Sequence, residues 1–372
     1  MHNQPEIIAL YLPQFYPFEE NNRWWGAGFT EWTNVASAKP LFKGHEQPRI
    51  PADLSFYDLR LPQIREQQVE LARKAGVTTF CYWHYWFGDG KRLLSEVFDE
   101  VLESGKPDFP FCLGWANNSW YAKTWNKSAE DRLLIEQRYP GIKDAEAHFN
   151  YLLRAFKDKR YLKIDNRPFL FIFDPRTLPQ SYIEHFESRA KQEGFDGIYL
   201  VANIREFDSK EHYLAAGYSA VVINRITRHT RLERSIERHR TTITRLKQLF
   251  PAISRLRSLQ RVLRRKPEVI DYRELYPRLT TAEEYSESVI PQLVPQWDHT
   301  PRSGIYGTAW VNATPENFYR HAKQVLSAVK NKNNRLVILK SWNEWGEGNY
   351  MEPDSRYGHG FIDALRRAVE SL

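Results

Sequence analysis

Residues 336–348 read LVILKSWNEWGEG, and this stretch joins two kinds of sequence that seldom adjoin. The apolar run Leu336–Leu339 is followed within a few positions by two tryptophans and two glutamates. A hydrophobic core accepts indole rings but rejects carboxylates, whereas an ordinary surface loop keeps the acids and has little use for the rings. The stretch therefore predicts a buried strand whose end presents side chains to a ligand.

Other short β-rich runs recur along the chain, with helical patterns between them. We predict strands near Ile7–Leu12, Thr78–Trp83, Pro110–Trp115, Phe169–Phe173, Ile198–Ala202, Ala220–Asn224, Gly304–Val311 and Leu336–Trp342. Helical periodicity is clearest over residues 62–75 and 315–331, and residues 360–372 should form the last helix. Eight strands alternating with helices predict an α/β fold, a (β/α)8 TIM-type barrel. We expect one catalytic domain, 1–372, with a basic helical insertion at 225–270 between strands six and seven.

A barrel of this type carries its chemistry at the carboxyl ends of its strands. Segments rich in rings and polar side chains follow the predicted strands: WWGAGFTEWTNV (24–35), YWHYWFG (82–88), WANNSWYAKTW (115–125) and WNEWGEG (342–348). Sugars are bound by rings that stack on their apolar faces and by side chains that hydrogen-bond their hydroxyls, so these segments favour a carbohydrate site.

The candidate substrate-binding residues all belong to these segments or border them. They are Tyr11, Gln14, Trp25, Glu31, Trp32, Asn34, Tyr82, His84, Tyr85, Trp86, Trp115, Asn117, Asn343, Trp345, Tyr350 and Glu352. Packing at strand ends is the alternative for some of the rings. His84 could instead be a hydrogen-bonded strut, and Glu31 could be an acid that locks its own loop.

Glu344 and Glu347 are the candidate catalytic residues. Glycosidic cleavage needs two carboxylates that flank the bond, roughly 5 Å apart for the usual retaining route. Residues three apart on a helical turn have Cβ atoms about 5 to 6 Å apart, so both carboxylates could bracket one sugar ring. A bare E-x-x-E is more often a solvated acidic turn, but the neighbouring Trp342, Asn343 and Trp345 favour a site.

Several long motifs, in the same order, resemble the WbsX-type family, which is related to glycoside hydrolase family 99. They are IALYLPQF, WWGAGFTEWTNV, KPLFKGHEQPRIPADLSFYDLR, FCYWHYWFG, LESGKPDFPFCLGWAN and SWNEWGEGNYMEP. The similarity runs from the first strand to about Gly358 and is weakest between Asn224 and Leu293. It implies a (β/α)8 barrel and an enzyme of polysaccharide metabolism, often encoded with O-antigen or capsule genes and often labelled a glycosyltransferase.

The resemblance also implies a mechanism. The hydrolase relatives are retaining endo-α-mannosidases that form a 1,2-anhydro sugar. One glutamate takes the proton of the sugar 2-hydroxyl, and a second, three residues later, protonates the leaving oxygen. Glu344 and Glu347 match these two positions in that order. The chain departs from many WbsX-type proteins at Asn118 and Ser119, where an acidic residue is common, which leaves sugar specificity there open.

The composition predicts no metal and no cofactor. None of the 11 histidines stands in an HxH or HExxH pattern, and neither GxGxxG nor a P-loop occurs. Cys81 and Cys112 lie in apolar runs and read as small core residues. The start of the chain lacks a secretory pattern, so we expect a cytoplasmic protein.

The net charge of +7 is concentrated in one segment. From Asn224 to Lys266 there are 14 Lys or Arg against Glu233 and Glu237. Apolar residues at helical spacing within it predict two amphipathic helices. The segment 225–266 could be a solvated face, or it could bind an anionic membrane surface or a lipid-linked glycan at the inner membrane face. No nucleic-acid reading motif accompanies the charge.

Three functions remain open from the sequence. The first is an enzyme that cleaves or transfers an α-glycosidic bond of an oligo- or polysaccharide. The second is a glycosyltransferase that uses a nucleotide-linked or lipid-linked sugar, against which the absence of a DxD motif counts weakly. The third is a glycan-binding barrel without catalysis.

Overall fold

The computed structural model describes residues 4–122, 132–226 and 266–372. Within these ranges, eight parallel strands form a nearly closed barrel. They are β1 Glu6–Tyr11, β2 Thr79–Trp86, β3 Phe111–Trp115, β4 Arg167–Ile172, β5 Tyr199–Arg205, β6 Ala220–Asn224, β7 Gln292–Leu293 and β8 Leu336–Leu339. The strand order is β6-β5-β4-β3-β2-β1-β8-β7, so the predicted (β/α)8 fold is confirmed.

The two ends of this order, β6 and β7, meet just before β7 begins. Val221 forms a parallel bridge with Val289. The amide of Val221 donates to the carbonyl of Ser288, and the amide of Ile290 donates to the carbonyl of Val221, both at 2.8 Å. These bonds close the barrel at one point, whereas β6 and β7 themselves are not hydrogen-bonded neighbours.

The helices lie between and after the strands. They are α1 Glu19–Trp25, α2 Glu31–Ser37, α3 Pro62–Ala75, α4 Glu96–Ser104, α5 Ile142–Phe156, α6 Gln180–Gln192, α7 Lys210–Ala215, α8 Tyr272–Leu275, α9 Thr300–Ser303, α10 Pro315–Val329 and α11 Gly360–Glu370. α11 packs against α10 and α3, so the last helix closes the outer layer next to the first barrel helix.

The strands are buried on both faces because helices cover the outside and side chains fill the inside. All eight residues of β2 and all four of β8 are buried. Such strands read as unbroken apolar runs, which is why the sequence located them well. α3 and α10 each begin at a proline, whose fixed φ suits the first helical turn.

The predicted seventh strand is wrong. The barrel strand is β7, which pairs with Ile338 and Leu339 of β8. Residues Thr308–Val311 instead pair in parallel with Glu268–Asp271, outside the barrel. The sequence GIYGTAWV has the higher β propensity, and Pro291 weakens the apolar run before β7, but pairing with β8 overrides local preference.

The basic helical insertion predicted at 225–270 lies mostly outside the described residues. Its last part, Glu268–Asp271, is a strand rather than a helix. The single-domain prediction for 1–372 and the expected role of 225–266 stay predictions. In the part of the chain that the structure describes, no helix has the length and apolar character needed to cross a bilayer.

Candidate active site

Three segments that follow barrel strands line a cavity of about 440 Å³. The lining comprises Gln14, Asn21, Trp24, Trp25, Phe29, Glu31 and Asn34 after β1; Asn118, Ser119, Trp120, Tyr121 and Leu134 after β3; and His299, Arg302 and Ser303 after β7. The cavity therefore lies at the carboxyl ends of the strands, where barrel enzymes bind their substrates.

The aromatic walls of the cavity are fixed by packing. Trp120 makes edge contacts with Trp24, Tyr85 and Phe87, with ring centroids 6.0, 5.2 and 5.5 Å away. Opposing edges of this kind hold a ring in one orientation. Trp25, by contrast, is 47% exposed at the mouth of the cavity.

Arg302 connects three carboxylates at the floor of the cavity. Its Nη2 lies 2.9 Å from Oε2 of Glu31, and its Nη1 lies 3.3 Å from Oε1 of Glu344 and 2.7 Å from Oε1 of Glu347. These acids come from the segments after β1 and β8, and the arginine comes from the segment after β7. The barrel thus assembles one charged cluster from residues up to 316 positions apart in the sequence.

The backbone around the two glutamates is shaped to let this cluster form. Trp345–Glu347 is a single 3-10 turn. A Cβ atom at Gly346 would collide with Oε2 of Glu31 and with Nε of Arg302. Glycine at this position is therefore what allows Glu31 and Arg302 to approach the turn.

The two glutamates differ in protonation. Burial raises the pKa of Glu344, and the neighbouring charge of Glu347 raises it further. Burial alone would also raise the pKa of Glu347, but Arg302, Lys340 and His299 outweigh it, so that pKa is lowered. In the ligand-free protein, Glu347 is the anion and Glu344 is the member that holds a proton to higher pH.

Two further basic side chains flank the pair. Nζ of Lys340 lies 4.0 Å from Oε2 of Glu344 and stands over the ring of Trp297. Nε2 of His299 lies 3.7 Å from Oε1 of Glu347, and its Nδ1 is 2.6 Å from the hydroxyl of Ser303. The tryptophan packs parallel to His299, at 10°, and orients both groups.

Four of the sixteen predicted substrate-binding residues line the cavity: Gln14, Trp25, Glu31 and Asn34. Tyr85 is buried but packs on Trp120, and the charge of Glu344 acts on its hydroxyl. Glu31 is linked to Glu344 and Glu347 through Arg302, which also lines the cavity, whereas the two glutamates are not among the lining residues. We retain these five residues in the proposed binding set.

A second group of predicted residues lies in the interior, bonded to protein groups. Oε2 of Glu352 accepts from the hydroxyl of Tyr57 at 2.9 Å and from the indole of Trp345 at 2.6 Å, while Oε1 accepts from Gln68 at 2.6 Å. Gln68 also accepts from the hydroxyl of Tyr11, at 2.7 Å. These contacts hold the strand-end segment on the barrel.

Three more members of the predicted set support this interior network. Asn343 accepts from the amide of Leu12 and donates to its carbonyl. Tyr350 stacks on Trp345 with ring centroids 3.7 Å apart. The indole of Trp32 donates to the carbonyl of Tyr57 at 2.7 Å. Being buried and satisfied, Tyr11, Trp32, Asn343, Trp345, Tyr350 and Glu352 are left out of the proposed binding set.

The remaining predicted residues pack on the far side of β2 and β3. His84 pairs with His148 at 2.8 Å between their Nε2 atoms, and burial lowers the pKa of His84 to about 3. Trp86 stacks on His148, and Trp115 packs edge-on to it. Tyr82 is buried between rings, and Asn117 bonds the backbone of Asp174. This placement favours the strut alternative for His84, and these residues also leave the proposed set.

Sequence reasoning missed Arg302 and His299, together with Asn21, Trp24 and Trp120 on the cavity wall. The signal for the first two was present, because VPQWDHTPRS (294–303) directly follows β7 and combines a ring with polar groups. It was overlooked because the seventh strand was predicted at Gly304–Val311, after this segment, instead of at Gln292–Leu293, before it. Had β7 been recognised, the rule that locates chemistry after strands would have selected this segment.

Comparison with known proteins shows the family to which this chain belongs. The model of the family described as "Glycosyltransferase WbsX" matches residues 7–365. The chain belongs to the WbsX family. Two proteins of Xanthomonas campestris pv. campestris, from strains ATCC 33913 and B100, are each described as "Uncharacterized protein WxcX" and are 33% identical over 369 residues. The match covers 98% of this chain but 49% of each relative, so the chain spans about half the length of these curated relatives.

Solved structures support the fold. An endo-α-mannosidase of glycoside hydrolase family 99 from Bacteroides thetaiotaomicron, in complex with bis-tris propane, aligns with a TM-score of 0.56 at 14% identity over 100% of this chain and 96% of that one. A "Glycoside hydrolase-like protein" aligns with a TM-score of 0.55 at 13% identity, over 99% and 94%. The predicted family is confirmed.

Proposed function

We propose that this chain cleaves or transfers an α-glycosidic bond with retention of configuration, using Glu344 and Glu347 as its proton-transferring pair. The observation that carries the proposal is their shared contact with Arg302, whose Nη1 lies 3.3 and 2.7 Å from the two Oε1 atoms. These oxygens can therefore be no more than about 6 Å apart. Retaining glycosidases space their carboxyl groups about 5 to 5.5 Å apart, and inverting enzymes space them more widely.

The cavity beside the pair suits a glycan. Trp25 and Trp120 offer rings for the apolar faces of sugars. Glu31, Asn34 and Gln14 offer hydrogen-bonding groups for hydroxyls. In the part of the chain that the structure describes, Nδ2 of the buried Asn21 has no hydrogen-bond partner, and a sugar hydroxyl would supply one.

The reaction follows the scheme implied by the likeness to family 99. Glu344 takes the proton from the 2-hydroxyl, O2 bonds to C1, the bond from C1 to the leaving oxygen breaks, and Glu347 donates a proton to that oxygen. The 1,2-anhydro sugar is then opened by attack at C1, as Glu347 takes a proton from the incoming oxygen and Glu344 returns one to O2. Water gives hydrolysis, and an acceptor hydroxyl gives transfer, so one pair serves both outcomes.

A glycosyltransferase that uses a nucleotide-linked or lipid-linked donor is the second candidate, and the description of the family favours it. Products formed from an oligosaccharide alone would support the first candidate, whereas products that require an activated donor would support the second. A glycan-binding barrel without catalysis would bind its ligand equally well after both glutamates are replaced and would give no product.

The biological setting is proposed from the family. We place the reaction in the metabolism of bacterial surface polysaccharide, O-antigen or capsule, in the cytoplasm. The basic charge of residues 225–266 supports contact with the inner membrane face or a lipid-linked glycan. Salt-dependent sedimentation of the full chain with anionic vesicles is expected, and equal sedimentation with neutral vesicles would contradict this contact.

The experiment that tests the reaction is a screen of α-linked oligosaccharides, followed by kinetics of Glu344→Gln and Glu347→Gln on the best substrate. Each variant should lose about 10²- to 10⁴-fold in turnover, the usual contribution of a positioned acid or base. Glu70→Gln, an exposed change on α3, is the control and should retain native rates. Native rates in both site variants would contradict the proposal.

The roles of the two glutamates separate on an activated aryl glycoside of the same sugar. A good leaving group needs little protonation, so Glu347→Gln should keep much of this turnover while Glu344→Gln loses it. A 2-deoxy substrate should be inert with the native chain, because no O2 is present to attack C1. Normal turnover of the 2-deoxy substrate would exclude the 1,2-anhydro route.

A further inference from the structure

The segment that carries Arg302 is tied directly to the segment that carries Glu347. The amide of Asp298 donates to the carbonyl of Glu347 at 2.7 Å. The carboxylate of Asp298 accepts from the amide and hydroxyl of Thr300, at 3.0 and 2.6 Å, and from Gln47 at 2.7 Å. The backbone that carries Arg302 is therefore held beside that of Glu347, on a short helix whose start is anchored by a buried carboxylate.

The contacts of Arg302 within the pair are unequal. Its Nη1 is 0.6 Å closer to the carboxylate of Glu347 than to that of Glu344, at 2.7 against 3.3 Å. His299 lies 3.7 Å from the same oxygen of Glu347, while the other basic neighbour of Glu344, Lys340, lies at 4.0 Å. The side chain of Glu344 is also less exposed, at 10% against 15%.

We propose that Arg302 is a positioning residue that assigns the shared proton of the ligand-free pair to Glu344 by holding Glu347 as the anion. The inference rests on the proposed function, in which the two glutamates exchange protons with a glycan. The pKa directions agree with the geometry, because burial and the charge of Glu347 raise the pKa of Glu344 while Arg302 outweighs burial at Glu347. Glu31 adds negative charge near Glu344, which raises the pKa of Glu344 further above that of Glu347.

This order has a consequence for the reaction. The scheme implied by family 99 needs Glu347 protonated and Glu344 ionised when the bond breaks. The pKa shifts of the ligand-free protein favour the opposite order, since the pKa of Glu344 is raised and that of Glu347 is lowered. For the scheme to run, glycan binding must reverse this order, with Arg302 giving up its contact with Glu347 so that Glu347 takes the proton.

The test is a pH titration of the full chain labelled with ¹³C at glutamate Cδ, without any glycan. Signals are assigned by their loss in Glu344→Gln and Glu347→Gln. In the native chain, Glu344 should titrate at higher pH than Glu347. In Arg302→Gln, the midpoint of Glu347 should rise by about one pH unit or more, because a cation within hydrogen-bond distance depresses a carboxyl pKa by that amount.

Two variants make the result specific. Arg302→Lys keeps the charge and should keep the order of titration, whereas Arg366→Gln, an exposed arginine on α11, should change neither midpoint. Glu347 titrating above Glu344 in the native chain would overturn the proposal even if no Arg302 variant folds. A Glu347 midpoint unchanged in a folded Arg302→Gln would also overturn it.

The titration needs no substrate, so its outcome is independent of whether the proposed reaction is correct. If the kinetic screen finds no glycan that is turned over, the proposed function fails while the assignment of the proton can still stand. If turnover depends on both glutamates but Glu347 titrates at higher pH than Glu344, the proposed reaction is supported and the proposed role of Arg302 is wrong.

Discussion

Glu347 and Glu352 lie five residues apart in the same segment after β8, and their carboxylates meet opposite environments. Glu347 faces a guanidinium at 2.7 Å, and its pKa is lowered although burial alone would raise it. Glu352 faces three uncharged donors, and burial raises its pKa to about 7 despite their hydrogen bonds. The charge of the partner, rather than the number of hydrogen bonds, therefore decides which buried acid stays ionised.

The difference separates a carboxylate that can do chemistry from one that supports it. Glu347 remains 15% exposed through its side chain and contacts the cluster at the cavity floor. Glu352 is 2% exposed and binds the indole of Trp345, which stacks on Tyr350. Glu352 thus holds the segment in place, while Glu344 and Glu347 of the same segment contact Arg302, which lines the cavity.

The largest expected effect comes from removing the cation. Arg302→Met leaves Glu31, Glu344 and Glu347 close together without their shared partner. Breaking a buried ion cluster in this way costs about 3 to 5 kcal/mol, so we expect the free energy of unfolding at pH 7 to fall by about 3 kcal/mol, because the side chain is 22% exposed. Urea denaturation measures the change.

A second substitution sharpens the test. Adding Glu31→Gln to Arg302→Met removes one of the repelling charges and should recover part of the lost stability, giving a measurable coupling energy between the two sites. Arg366→Met, which removes an exposed arginine, should cost less than about 1 kcal/mol. A loss at Arg302 no greater than that at Arg366 would mean that the cluster is not a stabilising unit.

The sequence predicted the strand ends and the two acids of the site, but it did not predict Arg302, the residue that decides their charge state. The apolar runs of β1 and β8 located the strand ends, and the motif WNEWGEG correctly indicated two acids at one of them. Periodicity cannot tell which rings face the cavity, because Trp345 and Trp25 both occur in aromatic segments and only packing buries one of them. Arg302 was missed because β7 is only two residues long and follows a proline, so local propensity favoured Thr308–Val311.

The pKa shifts of Glu352 and Glu347 on folding have opposite signs, and a matched pair of Glu→Gln substitutions should reveal this in the pH dependence of stability. The pKa of Glu352 rises from 4.5 to about 7 on folding, so its stabilisation is complete below pH 4.5 and is lost as the pH rises through 7. Glu352→Gln mimics the protonated acid and should remove this loss, which amounts to about 3 kcal/mol between pH 4.5 and 8.

The same substitution at Glu347 should act on the acid side. Because the folded pKa of Glu347 is lowered, its stabilisation is present above the unfolded pKa of 4.5 and is lost as the pH falls below it. Glu347→Gln should therefore flatten the acid limb, and above pH 5 it should lessen the loss of stability that comes from Glu344, because the charge of Glu347 raises the pKa of Glu344. Unfolding curves recorded from pH 3 to 8 give the free energy of unfolding of both variants. If that free energy depends on pH in the same way in the two variants, the two sites do not differ as described.

The smallest expected effect concerns the hydroxyl of Tyr57. Tyr57→Phe removes its hydrogen bond to Oε2 of Glu352, at 2.9 Å, and the longer bond that it accepts from Nδ2 of Asn343, at 3.4 Å, and leaves the backbone carbonyl bond to Trp32 in place. A hydrogen bond to a charged acceptor is stronger than one to a neutral acceptor, so the loss should be about 2 kcal/mol at pH 8, where Glu352 is ionised, and about 1 kcal/mol at pH 5. Tyr285→Phe, at a tyrosine that is 58% exposed, should change stability little at either pH. A loss for Tyr57→Phe that is the same at both pH values would show that Glu352 does not titrate between them, and the contrast with Glu347 would then rest on exposure alone.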